Sequence, residues 1–178
     1  MSEPWLVVID PQRVFAAPDS PWGSPMFGAI VEPVRELAAR HRTIVTRWVP
    51  AAGAERVGGW NAYFAAWPFA DRPADDALFD LVPEVTDLAS DGTVDATTFG
   101  KWPALEAVTG PAPELVLTGV ATDCCVISTA LAAADAGATV KVVAEACAGS
   151  TPENHAKALD LMALYAPQIT VARGARDL

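Results

Sequence analysis

Basic side chains are scarce in this sequence. Lys and Arg together number 12 against 22 Asp and Glu, which gives a formal net charge of −10 at pH 7. Nucleic acids and anionic membrane surfaces are bound through clustered Lys and Arg residues. The composition therefore argues against both of these partners and favours a small neutral or polar molecule as the substrate.

Long hydrophobic runs are also missing. No segment approaches the roughly 20 apolar residues that a transmembrane helix requires. Residues Met1 to Asp10 lack the basic region and apolar stretch of a secretory signal. We therefore expect a protein that does not enter a membrane and that resides in the cytoplasm.

Cysteine is the third scarce residue type. The chain has only three, of which Cys124 and Cys125 are adjacent. An odd number without a Cys-x-x-Cys spacing indicates neither a disulfide framework nor a zinc or dithiol motif. Because adjacent cysteines form only a strained disulfide, a redox function of this pair ranks third among the hypotheses, and we expect reduced thiols.

Short β-branched runs alternate with helical segments, a pattern typical of βαβ units and a parallel sheet. Strands are predicted at Trp5 to Asp10, Thr43 to Arg47, Gly92 to Ala96, Glu114 to Gly119, Ala138 to Ala144 and Ile169 to Ala172. Most of these runs are apolar throughout, which indicates burial on both faces. The expected fold is α/β: a single doubly wound domain over residues 1–178, with a mainly parallel sheet of about six strands and helices on both faces.

Three helices are predicted from hydrophobic spacing and capping residues. They run from Ile30 to His41, Asp123 to Ala136 and Pro152 to Tyr165. The segments Ala16 to Pro25 and Pro50 to Pro73 are rich in Pro, Gly and aromatic residues, and we interpret them as loops that shape a pocket.

Asp10 is the first candidate for chemistry. It ends the first predicted strand, and ligands of a doubly wound sheet bind beyond the carboxyl ends of its strands. An Asp after a strand also serves as an ordinary turn or helix-capping residue. The residue by itself does not distinguish the two roles.

Cys125 is the second candidate, because it lies where a strand runs straight into a helix. The positive end of the helix dipole lowers the pKa of a thiol in the first turn, and the free N–H groups there can bind an oxyanion. We expect Cys125 to be accessible. The alternative is a cysteine that only packs in the core, and that is our interpretation of Cys147.

Over nearly its whole length the sequence resembles the isochorismatase-like superfamily of cysteine hydrolases. Residues 8–12 (VIDPQ) resemble the opening strand of that family with its catalytic Asp, and residues 119–130 (GVATDCCVISTA) resemble the motif in which the Cys before Val is the nucleophile. The resemblance therefore implies catalytic roles for Asp10 and Cys125. Glu145-Ala146-Cys147 and His155 resemble a later strand end and helix of the same family.

One position departs from the family pattern. A lysine completes the family's triad in a stretch such as Val-Asp-Lys-Thr-Thr-Phe, whereas residues 94–99 read Val-Asp-Ala-Thr-Thr-Phe, so the lysine position falls on Ala96. Lys101 is expected to be a solvated surface charge, with the alternative that it supplies the missing cation. Without an ammonium the thiol should be less reactive. The chain would then be an inactivated variant, a natural enzyme with altered activation, or a binding protein.

The resemblance also implies a cis peptide between Val120 and Ala121, with an oxyanion hole formed by the N–H groups of Ala121 and Cys125. Nicotinamidases of the superfamily hold a metal through an Asp-x-His…His cluster, where this chain reads TRWVP over residues 46–50. We therefore expect no metal and no other cofactor. Isochorismatases that cleave a vinyl ether lack the nucleophilic cysteine, so its presence favours hydrolysis of a C–N bond.

Aromatic residues concentrate in the two long loops and indicate a pocket with apolar walls. Phe15 and Trp60 are expected to contact the substrate, against the alternative that such residues cover the sheet edge or a subunit interface. The apolar composition and the habit of the resembled family predict a homodimer or a higher homo-oligomer.

The leading hypothesis is a cysteine-dependent amidohydrolase that acts on a small molecule. Cys125 attacks an amide carbonyl, Asp10 transfers the proton, and water releases the acyl group from the enzyme. The alternative is a catalytically silent ligand-binding or interaction protein of the same fold, which rests on Ala96 alone. Activity gained by Ala96→Lys would favour the first hypothesis.

Overall fold

A sheet of six parallel strands organises the protein, whose computed structural model describes residues 3–178. The strand order is β3-β2-β1-β4-β5-β6, so the direction of winding reverses between β1 and β4. The strands are β1 (Trp5–Ile9), β2 (Arg42–Trp48), β3 (Thr93–Ala96), β4 (Glu114–Val120), β5 (Thr139–Ala148) and β6 (Ile169–Ala172). The predicted α/β fold is confirmed, including the pairing of β1 with β4.

Helices lie on both faces of the sheet. They are α1 (Arg13–Ala16), α2 (Phe27–Ala38), α3 (Gly59–Ala66), α4 (Trp102–Thr109), α5 (Ile127–Asp135) and α6 (Pro152–Ala163). The predicted helix from Asp123 begins as a π-helical turn, Thr122–Val126, and only then continues as α5. In the part of the chain that the structure describes, no helix combines the length and the apolar character needed to cross a membrane.

Burial on both faces explains why the strands read as apolar runs. In β1, Leu6 and Val8 pack into the layer that contains α2, whereas Val7 and Ile9 pack into the layer that contains α4, α5 and α6. All four side chains are at most 1% exposed. A sheet covered in this way is lined mainly by apolar side chains on both faces.

The segment predicted as a long loop at Pro50 to Pro73 contains the helix α3, so that part of the prediction is wrong. Gly58 precedes this helix with a positive φ of 54° and Pro68 follows it, so residues typical of loops stand at both of its ends. Aromatic packing holds the helix in place: the ring of Phe64 lies 5.9 Å from the ring of Trp48 at the end of β2.

Gly119 permits the close approach of β1 and β4. It adopts a φ of +105°, and a Cβ at this position would lie 2.2 Å from the carbonyl oxygen of Ile9. Only a residue without a side chain fits there. The carboxyl ends of β1 and β4 therefore meet where the strand order reverses, the place at which open α/β sheets bind ligands.

Candidate active site

Asp10 is fixed at the carboxyl end of β1 by β2. Its carboxylate Oδ1 accepts a hydrogen bond of 2.7 Å from the hydroxyl of Thr46, and its backbone N–H donates to that Thr46 hydroxyl oxygen at 3.2 Å. The backbone has a positive φ of 45°, and the side chain is completely buried. Asp10 is thus a buried carboxylate rather than a solvated turn residue.

Lys101 is the partner of this carboxylate, and the expectation of a solvated surface charge is wrong. Its Nζ lies 2.8 Å from Oδ2 of Asp10, and both side chains are 0% exposed. The ammonium also donates to the carbonyl oxygens of Thr98 at 2.9 Å and Phe99 at 2.8 Å. With three oxygen partners, the buried cation is fully compensated.

Ala96 is not part of this cluster. It ends β3 in register with Trp48 of β2, and it borders a separate cavity together with Asp95 and Pro103. The residue that contacts Asp10 is Lys101, which lies five positions later, immediately before α4. The family pattern places its lysine at the position of Ala96, whereas in this chain the ammonium beside Asp10 belongs to Lys101.

Cys125 lies on the π-helical turn that follows β4. The peptide between Val120 and Ala121 is cis, as the family resemblance implies. The hydroxyl of Thr129 donates to the carbonyl oxygen of Cys125 at 2.7 Å and accepts from the backbone N–H of Lys101 at 3.0 Å. Thr129 thereby joins the segment that carries the thiol to the segment that carries the buried cation.

The expected accessibility of Cys125 is wrong, because the residue is 0% exposed, whereas Cys124 is half-buried. A hydrogen bond with Cys124, burial and the carboxylate of Asp10 raise the pKa of Cys125, and Lys101 opposes this effect. These influences outweigh any lowering by the helix terminus. The same hydrogen bond lowers the pKa of Cys124. At rest Cys125 is therefore a neutral thiol.

Burial raises the pKa of Asp10, against the lowering effects of Lys101, of the Thr46 hydroxyl and of a hydrogen bond from the Cys125 thiol. A carboxylate that is destabilised in this way accepts a proton more readily than an exposed one. Asp10 and Cys125 thus form a donor–acceptor pair in which the proton begins on sulfur.

A cavity of about 200 Å³ opens beside the thiol. Its lining residues are Phe15, Pro21, Trp22, Gly23, Tyr63, Phe99, Ala121, Asp123, Cys124, Cys125 and Ser150. The volume is smaller than the roughly 300–1,000 Å³ of sites for drug-sized ligands. The cavity therefore suits a small substrate placed against the sulfur.

Of the two predicted substrate contacts, Phe15 lines this cavity and Trp60 does not. Trp60 packs against two residues that line the cavity. Its ring centroid lies 5.0 Å from that of Phe99 and 5.4 Å from that of Tyr63. It supports the cavity wall through these contacts. The long-loop composition indicated an aromatic site but could not show which rings reach the cavity.

Polar side chains in and next to the cavity lining form hydrogen bonds with one another. Asp123 accepts two hydrogen bonds of 2.7 Å from Ser150, one from the backbone N–H and one from the hydroxyl. Thr122 and His155 share a hydrogen bond of 2.8 Å between Oγ1 and Nδ1. Burial lowers the pKa of His155, while Asp123 acts in the opposite direction. These contacts fix the π-helical turn against the end of β5 and the start of α6.

Comparison with known protein families shows that residues 4–173 match the Isochorismatase domain. The chain belongs to the isochorismatase family. Membership in this family supports hydrolase activity in general. No curated protein sequence is significantly similar to the chain.

Several solved structures share the fold of this chain. A cysteine hydrolase from Pseudomonas syringae pv. phaseolicola is 18% identical, with a TM-score of 0.79 over 95% of this chain and 88% of its own. N-carbamoylsarcosine amidase from Thermoplasma acidophilum is 19% identical, with a TM-score of 0.71 over 97% and 96%. Pyrazinamidase of Pyrococcus horikoshii, solved in complex with zinc, is 21% identical, with a TM-score of 0.71 over 96% and 99%.

The side chains of this family member do not fit a metal site of the kind that the zinc complex suggests. Residues 3–178 contain no group of three His, Cys, Asp or Glu side chains arranged to hold a metal ion.

Several residues of the site could not be recognised as such from the sequence. Tyr63, Phe99, Asp123 and Ser150 all line the cavity, yet none has a spacing that distinguishes it from a packing or turn residue. For Lys101 a signal existed, because the chain has only two lysines beyond it and none before it. A family member that needs a buried ammonium near β3 had no other lysine close to that strand.

Proposed function

We propose that this chain is a cysteine amidohydrolase that cleaves the C–N bond of a small amide. The observation that carries the proposal is the buried ion pair of Asp10 and Lys101 next to the Cys125 thiol, at the wall of a small cavity. A buried charged pair is costly to place in a protein interior, and its position beside a thiol is explained by proton transfer.

In the proposed acylation step, the sulfur of Cys125 forms a bond to the amide carbonyl carbon while its proton moves to Asp10. The tetrahedral intermediate then breaks its C–N bond, and Asp10 returns the proton to the departing nitrogen. Ammonia or an amine leaves, and the acyl group stays on sulfur. The raised pKa values of both groups match this order, because the thiol keeps its proton until the substrate is present.

In the proposed deacylation step, Asp10 removes a proton from water as the water oxygen attacks the thioester carbon. The C–S bond breaks, the proton passes to the sulfur, and the carboxylic acid is released. Ala121 and Cys125 would stabilise the negative oxygen in both steps through their backbone N–H groups. No step requires a metal ion or a cofactor.

Lys101 would act as a fixed positive charge. The carbonyl oxygens of Thr98 and Phe99 orient its ammonium toward Asp10. In that position it favours the ionised carboxylate that accepts the proton and the thiolate that develops during attack. This role gives the chain the cation that the departure at Ala96 had placed in doubt. A silent binding function rested on that departure alone, and no other observation favours it.

The test measures ammonia release from a panel of primary amides and N-carbamoyl compounds, with a metal chelator present throughout. We expect the unchanged chain to turn over at least one member of the panel. Asp10→Asn and Cys125→Ser should each lower turnover by roughly 10²-fold or more. Asp160→Asn is the matched control, because Asp160 is exposed on α6, and it should leave turnover unchanged.

Failure of the unchanged chain to hydrolyse any amide would overturn the proposal, and so would either of two further results. Full turnover by Asp10→Asn or Cys125→Ser would remove the proton acceptor or the nucleophile from the mechanism. Loss of activity on chelation, restored by added metal, would show that the metal-free scheme is wrong.

A further inference from the structure

The lining of the cavity beside Cys125 contains an acidic side chain and no basic one. Asp123 contributes a carboxylate to its lining, and the lining contains no Lys, Arg or His. The other nearby charges, Asp10 and Lys101, are completely buried and compensate each other. A ligand in the cavity therefore meets an acidic side chain without a basic one.

Asp123 is held rigidly but is not neutralised. Ser150 donates to both carboxylate oxygens at 2.7 Å, and Asn154 in turn donates to the Ser150 hydroxyl at 3.0 Å. Asp123 takes part in none of the ion pairs recorded between residues 3 and 178. Its partners fix the geometry of the carboxylate and leave its charge available to a ligand.

Aromatic rings form a continuous wall around the same space. The ring centroid of Trp22 lies 6.1 Å from that of Phe15 and 5.7 Å from that of Tyr63, and Tyr63 lies 5.4 Å from Phe99. All four residues line the cavity. Aromatic rings that surround a quaternary or primary ammonium group within about 6 Å of their centroids attract it through cation–π interactions.

We propose that the cavity selects a small primary amide whose acyl group carries a cationic ammonium, bound among these rings with Asp123 as its counter-ion. This inference rests on the proposed amidohydrolase function and names its substrate class. The amide carbon would lie at the sulfur of Cys125 and the cation at the aromatic wall. A carboxylate-bearing amide would face the charge of Asp123 without a basic partner in the lining.

Three small amides of different charge are compared, of which the cationic and the neutral one have nearly equal shape. They are trimethylammonioacetamide, its neutral isostere 3,3-dimethylbutanamide, and the anionic malonamate. Binding of each to the Cys125→Ser chain is measured by calorimetry, so that the result does not depend on turnover. We expect the cation to bind about tenfold or more tightly than the neutral isostere, and the anion to bind most weakly.

Asp123→Asn retains the shape of the side chain and removes its charge. Introduced into Cys125→Ser, it should lower the ratio of cation to neutral affinity by about 5-fold to 10-fold. Asp160→Asn removes a charge from the exposed face of α6 and should leave the ratio unchanged. Trp22→Leu should lower the ratio by removing the ring at the centre of the wall. Added salt should lower the ratio in the parent Cys125→Ser chain, which gives a measurement that needs no further substitution.

Equal or tighter binding of the neutral isostere, or tightest binding of the anion, would overturn the substrate assignment. A ratio that changes neither with Asp123→Asn nor with salt would exclude Asp123 as the counter-ion. The two proposals fail separately. Cation-selective binding without hydrolysis of any amide by the unchanged chain contradicts the amidohydrolase function, whereas hydrolysis of neutral amides in preference to the cation contradicts only the selectivity.

Discussion

Replacing Lys101 by Met isolates the contribution of the buried ammonium. Methionine retains much of the side-chain volume, but Asp10 is then left as a completely buried carboxylate without its cation. Removing one partner of a buried ion pair destabilises a protein by about 3–5 kcal/mol, chiefly because the other charge remains unpaired. We expect Lys101→Met to lower the free energy of unfolding by an amount in this range.

Lys157→Met is the matched control. Lys157 pairs with Glu153 at 2.6 Å, but its side chain is 67% exposed, and pairs of this kind contribute about 0–1 kcal/mol. The double variant Asp10→Asn with Lys101→Met leaves no unpaired charge. It should therefore be more stable than Lys101→Met alone.

The loss of stability caused by Lys101→Met should grow as the pH rises. Removing the cation raises the pKa of Asp10 further, so the folded state binds a proton more tightly than the unfolded state. Stability is then retained at low pH and is lost as the pH rises through the folded-state pKa. Urea unfolding followed by tryptophan fluorescence at several pH values measures this. If Lys101→Met and Lys157→Met lost the same small amount at every pH, the buried-pair account would be refuted.

Four further outcomes follow from the same geometry. Ala96→Lys should not increase turnover, because Ala96 borders a separate cavity; a rise in ammonia release would contradict this. The acid limb of the kcat/KM profile should lie above the range of an ordinary Asp, because burial raises the pKa of Asp10 and activity appears as this group loses its proton; a limb at the ordinary value would argue against Asp10 as the base. Iodoacetamide should modify Cys124 before Cys125, since Cys124 is less buried and its pKa is lowered; peptide mass spectrometry with the first adduct on Cys125 would show otherwise. Sedimentation should give a homodimer or larger homo-oligomer, and a monomer at micromolar concentration would count against the prediction.

The sheet was predictable because its signal is local. Apolar runs such as Trp5–Ile9 and Glu114–Val120 require burial on both faces wherever they occur. Pro152 and the capping residue Thr151, whose hydroxyl accepts from the N–H of Asn154 at 3.1 Å, mark the start of α6 in the sequence itself. Helix α3 lacked such a signal, because its stability comes from rings elsewhere in the fold.

Whether a site residue can be predicted from the sequence depends instead on how far its functional group lies from the backbone of a strand. Asp10 could be placed from the sequence because it directly follows a strand, and strand ends are fixed by the sheet. Lys101 was harder to assign, because a turn of four residues and a long flexible side chain separate its contact with Asp10 from β3, and its nearness to β3 in the sequence was the available signal. A motif alignment assigns a function to a position, whereas the fold requires only that an ammonium reach the carboxylate.

The acyl-enzyme provides the most direct test of the central claim. The chain is mixed with an amide that it hydrolyses, quenched with acid during turnover and digested, and the fragment masses are used to assign any acyl group to a residue. We predict an acyl group on Cys125, with Cys124 unmodified, and an accumulation that disappears in Cys125→Ser. Steady hydrolysis with no acyl group on Cys125, or an acyl group on Cys124 in its place, would contradict the assignment of Cys125 as the nucleophile.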